Sequence, residues 1–131
     1  MEFEFPWPFT QGEWLAWSSA AVTILLGLIL LFLPRTALRV LRLQTVPDHP
    51  AAASEARSTM AGFYLGLGIS CILLAQPLLY MALGFSWVFT VFGRVVSMLS
   101  DRGNTLYNWI SLVIELVLAA LPLAFWFGFV P

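Results

Sequence analysis

Four long runs of apolar residues, separated by short polar joints, limit what this chain can become. A helix that crosses a bilayer needs roughly 20 apolar residues, and such runs lie at about 14–33, 57–83, 85–100 and 107–129. Of the 131 residues, 60% are hydrophobic and 10% charged, which is too little polar surface for a soluble domain of this size. The spans consume the length, so a separate soluble domain does not fit. The expected fold is all-α: a polytopic membrane protein, a single domain built as a four-transmembrane-helix bundle. A short interfacial amphipathic helix at 35–46 is expected between the first and second spans.

Two charges stand inside this apolar setting, Arg94 in the third span and Glu115 in the fourth. Each would be costly in hydrocarbon unless it faces protein, pairs or is neutralised. At about 100° per residue, Ser86, Thr90, Arg94, Ser97 and Asp101 share a roughly 80° arc of the third helix. Asn108, Ser111, Glu115, Ala119 and Pro122 share a similar arc of the fourth. Folding the hairpin near Asn104 brings Arg94 level with Glu115 and sets Asp101 opposite Asn108. At a rise of about 1.5 Å per residue, both charges lie roughly 10 Å inward from the helix ends. A charge-assisted Arg–carboxylate pair is the natural outcome. The predicted polar cleft comprises Arg94, Glu115, Ser97, Asp101, Asn108 and Ser111. Three roles stay open at this level. The pair fixes helix register, or the cleft handles protons, cations or a polar headgroup, or Arg94 snorkels to the interface and leaves Glu115 protonated.

The remaining segments read as packing and interface. Phe3, Phe5, Trp7 and Phe9 form an aromatic tail suited to the headgroup region or to docking on a partner. The opening residues lack a basic segment and a small-residue cleavage site, so they do not read as a signal peptide. Ala16, Ala20, Thr23 and Gly27 give the first span one small face on which a second helix can pack. Arg35, Arg39 and Arg42 share a helical face opposite Ala37, Leu38 and Leu41, a pattern for lipid-headgroup contact or plain solvated anchoring. Asp48 or His49 is placed to cap the helix that follows. Ser58, Gly62, Gly66 and Ser70 recur every four residues and form a shallow ridge for internal packing or for self-association. Pro77 is expected to kink the second span, with the joint to the third near Gly84. Arg35, Arg39, Arg42, Arg57 and Arg102 all fall between spans one and two or between three and four. By the positive-inside rule both of those loops are cytoplasmic and both termini are periplasmic, in a bacterial inner membrane.

Chemistry-bearing clusters are scarce. His49 is the one histidine and lies in a loop, and Cys71 is the one cysteine. No metal-ligand spacing, phosphate-binding glycine loop or Ser–His–acid set is present. No cofactor, metal or nucleic-acid partner is expected, although a bound lipid headgroup is compatible with the cleft.

From Glu55-Ala56-Arg57 onward the chain resembles a small bacterial integral-membrane family, the domain of unknown function 4345 type. The residues that carry this are the Arg57–Gly62 entry, Gly66-Leu67-Gly68, Gly93-Arg94-Val95-Val96-Ser97, Asp101 to Gly103 and Glu115. More distantly it is similar to the DoxX-like four-helix families, some of them linked to quinone or redox enzymes. The resemblance implies four spans and weight on Arg94, Ser97, Asp101 and Glu115, and it assigns no reaction. The functional expectation is a non-catalytic accessory or assembly subunit of a larger inner-membrane complex, respiratory or photosynthetic. Its partners would be lipids, other membrane subunits or further copies of itself. The alternatives are a small oligomeric transporter or proton-linked carrier at the Arg94/Glu115 cleft, and a quinone- or lipid-binding redox helper.

Overall fold

The computed structural model describes residues 4–43, 54–101 and 105–130. Among these residues the chain is helical, with no strand. Helix α1 spans Gln11–Phe32. Thr10 caps it: its Oγ1 accepts the Glu13 N–H at 3.1 Å, and Glu13 Oε2 accepts the Phe9 N–H at 3.2 Å. This reciprocal arrangement satisfies donors that the first turn leaves free. One stripe of α1 is buried, including Ala16, Ser19, Ala20, Thr23 and Gly27. The expected small face of the first span is therefore its packing face.

Helix α2, Pro34–Val40, is a seven-residue helix with Pro34 in its first turn. Ala37 and Leu38 are buried against Leu30, Ala56 and Ala61, while Arg35 and Arg39 are exposed. The predicted division of faces holds over this helix, but the helix is shorter than the 35–46 segment. The backbone leaves it at Arg42, whose φ of 59° is left-handed, a conformation that stops an L-residue helix. The end of that segment and the proposed Asp48 and His49 caps lie outside the described residues.

Helix α3, Ala56–Leu74, opens with a π-helical turn at Ala56–Met60. Arg57 Nε donates to the Leu31 carbonyl at 3.1 Å, so this loop arginine serves as a cap on the last turn of α1. Here the structure corrects the expected spans. α3 ends at Leu74, not near Leu83, and α4 runs over Pro77–Ser100. Ala75 is left-handed at φ 50° and Gln76 is extended. Pro77 thus starts a helix, where its missing N–H is no loss, instead of bending one. Gly84 is no joint at all. It lies inside α4, where an added Cβ would come 2.5 Å from Leu123 Cγ.

Helix α5 covers Leu106–Trp126, with Thr105 Oγ1 accepting the Asn108 N–H at 3.2 Å. It stops at Gly128, whose φ of 79° lets the Phe129 N–H reach back to the Ala124 carbonyl at 2.9 Å. This left-handed ending favours glycine, because a Cβ is strained there.

α1 lies at the centre of the bundle, packed on α3 and α5, while α4 packs chiefly on α5. Where Gly27 meets α3, an added Cβ would come 2.8 Å from Leu65 Cγ. Where Gly68 meets α1, it would come 2.6 Å from Ile24 Cγ1. Two hydrogen bonds cross the interior. Ser19 Oγ donates to the Leu118 carbonyl at 2.6 Å, and Trp87 Nε1 donates to Thr23 Oγ1 at 3.1 Å. Gly12 packs against the Val130 carbonyl and Phe125, so the start of α1 and the last described residues lie at one end of the bundle. All four long helices are apolar enough to cross a bilayer, and they turn large side chains such as Phe63, Phe89, Phe92 and Leu99 outward. This is a multi-pass membrane protein whose solvent is lipid on most of its flank.

Candidate functional site

Arg94 and Glu115 meet as their register requires. Arg94 Nε donates to both Glu115 carboxylate oxygens, at 3.0 and 2.9 Å, and Nη2 donates to Oε1 at 2.6 Å. Nη1 donates to Asn108 Oδ1 at 2.7 Å. Glu115 is buried and Arg94 is one-fifth exposed. A side-on bidentate pair of this kind fixes orientation as well as charge. The guanidinium turns to the carboxylate and does not reach for the interface, which removes the snorkelling alternative.

The pair forms one wall of a cavity of about 530 Å³. The cavity opens where α3, held to α1, leaves a space beside α4 and α5. Its polar wall is Arg94, Asn108, Ser111 and Glu115, edged by Tyr64 and Tyr107. Leu26, Ile29 and Leu30 of α1, Thr36, Ala37 and Val40 of α2 with Leu41 just after it, Trp87 of α4 and Leu118 of α5 supply most of the remainder. A smaller cavity of about 200 Å³ lies on the α3–α4 side and shares Tyr64, Trp87 and Thr90 with it. The rings of Tyr64 and Trp87 touch there, with centroids 5.6 Å apart. The larger volume is in the range of small-ligand sites, roughly 300–1,000 Å³.

Four of the six residues predicted for the cleft come together: Arg94, Glu115, Asn108 and Ser111. Ser97 and Asp101 do not line the cavity. Ser97 Oγ donates to Asp101 Oδ2 at 3.1 Å, and Asp101 is exposed. They occupy the last turn of α4, where polar groups reach water and find a partner one turn away. Asp101 does not engage Asn108, whose amide oxygen Arg94 takes instead.

The Ser58–Gly62–Gly66–Ser70 ridge, left open between internal packing and self-association, does not pack inside the bundle at its glycines. Gly62 and Gly66 face outward, and an added Cβ at either would meet nothing within 4 Å. Internal packing falls to Ala61, Gly68, Cys71 and Ile72, a parallel stripe that the four-residue repeat overlooks. Arg42 also departs from a pure headgroup role, since its guanidinium lies over the Tyr107 ring at 5.3 Å. Arg35 and Arg39 are exposed, which suits headgroup contact and solvated anchoring equally.

Tyr64, Tyr107 and Trp87 were absent from the predicted site. Tyr64 had a readable signal, since it falls three residues after Ala61 and four before Gly68, on the inward face. Tyr107 and Trp87 had none, because their role follows from how α2 and α3 stand against α4 and α5. Among the described residues no group of three or more His, Cys, Asp or Glu could hold a metal ion.

The family model described as domain of unknown function (DUF4345) matches residues 12–127, and the chain belongs to that family. The match takes in α1 and α2, which lay outside the stretch carrying the resemblance. No curated protein and no solved structure matches, so the likeness to the DoxX-like families gains no support.

Proposed function

We propose that this member of the DUF4345 family is a non-catalytic membrane protein that binds an amphiphile. The apolar walls would hold its chain, and the Arg94–Glu115–Asn108 wall its head. One observation carries the reading: a cavity of about 530 Å³ inside a membrane bundle, mostly apolar in its lining, with one ordered ionic cluster in its wall. A pair needed for register alone would pack more stably without a void beside it, since empty space forfeits dispersion contacts. By the positive-inside rule the α2 end faces the cytoplasm and both termini face the periplasm of a bacterial inner membrane. The ligand would then enter from the cytoplasmic leaflet.

The test is extraction in mild detergent followed by native mass spectrometry. The expected result is a bound lipid-sized mass that is lost in Ile114→Trp, a substitution that fills the cavity from α5. Identical spectra for the parent and this variant would refute the proposal.

A second reading is an accessory subunit of a larger inner-membrane complex. The outward ridge at Gly62 and Gly66 favours it, because a small-residue face admits a close-packed partner helix. Co-purification of a stoichiometric membrane partner, lost in Gly62→Leu/Gly66→Leu, is the expected result. A lone monomer in mild detergent argues against it.

A further inference from the structure

We infer that the amphiphile held beside Arg94 has a neutral, oxygen-bearing head and not an anionic one; this rests on the amphiphile-binding reading above. A guanidinium carries five N–H groups. Nε–H serves both Glu115 oxygens, one Nη2–H serves Oε1, and one Nη1–H serves Asn108 Oδ1. One N–H remains on each terminal nitrogen. Unmet donors beside an apolar cavity are unfavourable. A head with one or two carbonyl or hydroxyl oxygens would satisfy them through charge-assisted bonds. Ser111 adds a hydroxyl to the same wall, able to donate or accept.

Charge decides between neutral and anionic heads. Glu115 already cancels Arg94 at direct contact, 2.6 Å, so the cluster is neutral as a whole. An anion on the two remaining N–H groups would stand close to the buried carboxylate, where repulsion is strong because the dielectric is low. A neutral acceptor gains the hydrogen bonds without that repulsion. The nearby cation Arg42 does not alter the balance. It is exposed to water and engaged on the Tyr107 ring, where screening weakens its field.

The experiment compares three probes in detergent: 1-oleoylglycerol, its 3-phosphate, which has the same chain with an anionic head, and 1-octadecene, which has no head. Binding is read by native mass spectrometry and by quenching of Trp87 fluorescence, with Trp87→Phe as the blank. The neutral glyceride is expected to bind at least about tenfold more tightly than either of the others, a difference of about 1.4 kcal/mol. Glu115→Gln keeps an acceptor for Arg94 but removes the cancelling charge, and it should reverse the order in favour of the phosphate. Equal or tighter phosphate binding to the parent protein overturns the neutral-head inference and leaves the amphiphile reading standing. Binding of none of the three overturns the amphiphile reading itself. The parent's order of affinities decides the question even where Glu115→Gln does not fold.

Discussion

The two halves of the bundle hold together by different means. Between α1 and α3 the contact is bare backbone and small side chains: Gly27 lies against Leu65, and Gly68 against Ile24 and the Ala20 carbonyl. Between α4 and α5 the contact centres on an ionic cluster, with three hydrogen bonds from two N–H groups of Arg94 to Glu115 and one more to Asn108. Close packing gains from many weak dispersion contacts and tolerates no added volume. An ion pair in low dielectric tolerates volume but not the loss of one partner. The comparison explains where the cavity lies. The tightly fitted half closes on itself, and the half fixed by one strong point leaves room beside it.

The largest expected effect breaks the ionic half. Glu115→Leu leaves a largely buried guanidinium without its counter-charge and should destabilise the protein by about 3 kcal/mol, the low end for a broken buried pair because Arg94 is one-fifth exposed. Thermal unfolding in detergent and membrane yield measure this. Arg94→Leu should cost less, because a lone carboxyl can take up a proton while a guanidinium cannot lose one.

A smaller effect tests the packed half. Gly68→Ala forces a Cβ to within 2.6 Å of Ile24 Cγ1 and should cost about 1–3 kcal/mol by overpacking. Gly66→Ala points into open space on the same helix and should change the melting temperature little, within about 0.5 kcal/mol. Equal losses at the two glycines would mean that α3 is rotated from the orientation described.

The smallest effect probes the join between the halves. Trp87→Phe removes the N–H that bonds Thr23 Oγ1 at 3.1 Å and should cost about 0.6–1 kcal/mol, the usual worth of such a bond in a membrane.

Much of this organisation was legible in the chain. Four helices follow from apolar length alone, and the Arg94–Glu115 contact from helical register in a short hairpin. Residues 16, 20 and 27 announced their packing face because only small side chains lie there. Other features depend on information that a single helix does not carry. Pro77 serves equally as a kink or as a helix start, and the left-handed Ala75 before it decides for the second. Gly84 looks like a joint, yet it is small because Leu123 presses on it. α3 carries two small stripes, one through Gly62 and Gly66 and one through Ala61 and Gly68. Which of them turns inward depends on α1. Ser97 and Asp101 share an arc with Arg94, but they lie at the end of α4, where each satisfies the other. The cavity itself had no signature, because it is a property of how five helices fail to fill a space.

The central claim is that Arg94 and Glu115 act as one unit clamping α4 to α5. A double-mutant cycle tests it directly, with Arg94→Leu, Glu115→Leu and the two combined, followed by thermal unfolding in detergent. Paired removal leaves no orphaned charge, so the combined variant should be more stable than Glu115→Leu alone. Losses that simply add would show two independent residues and contradict the account.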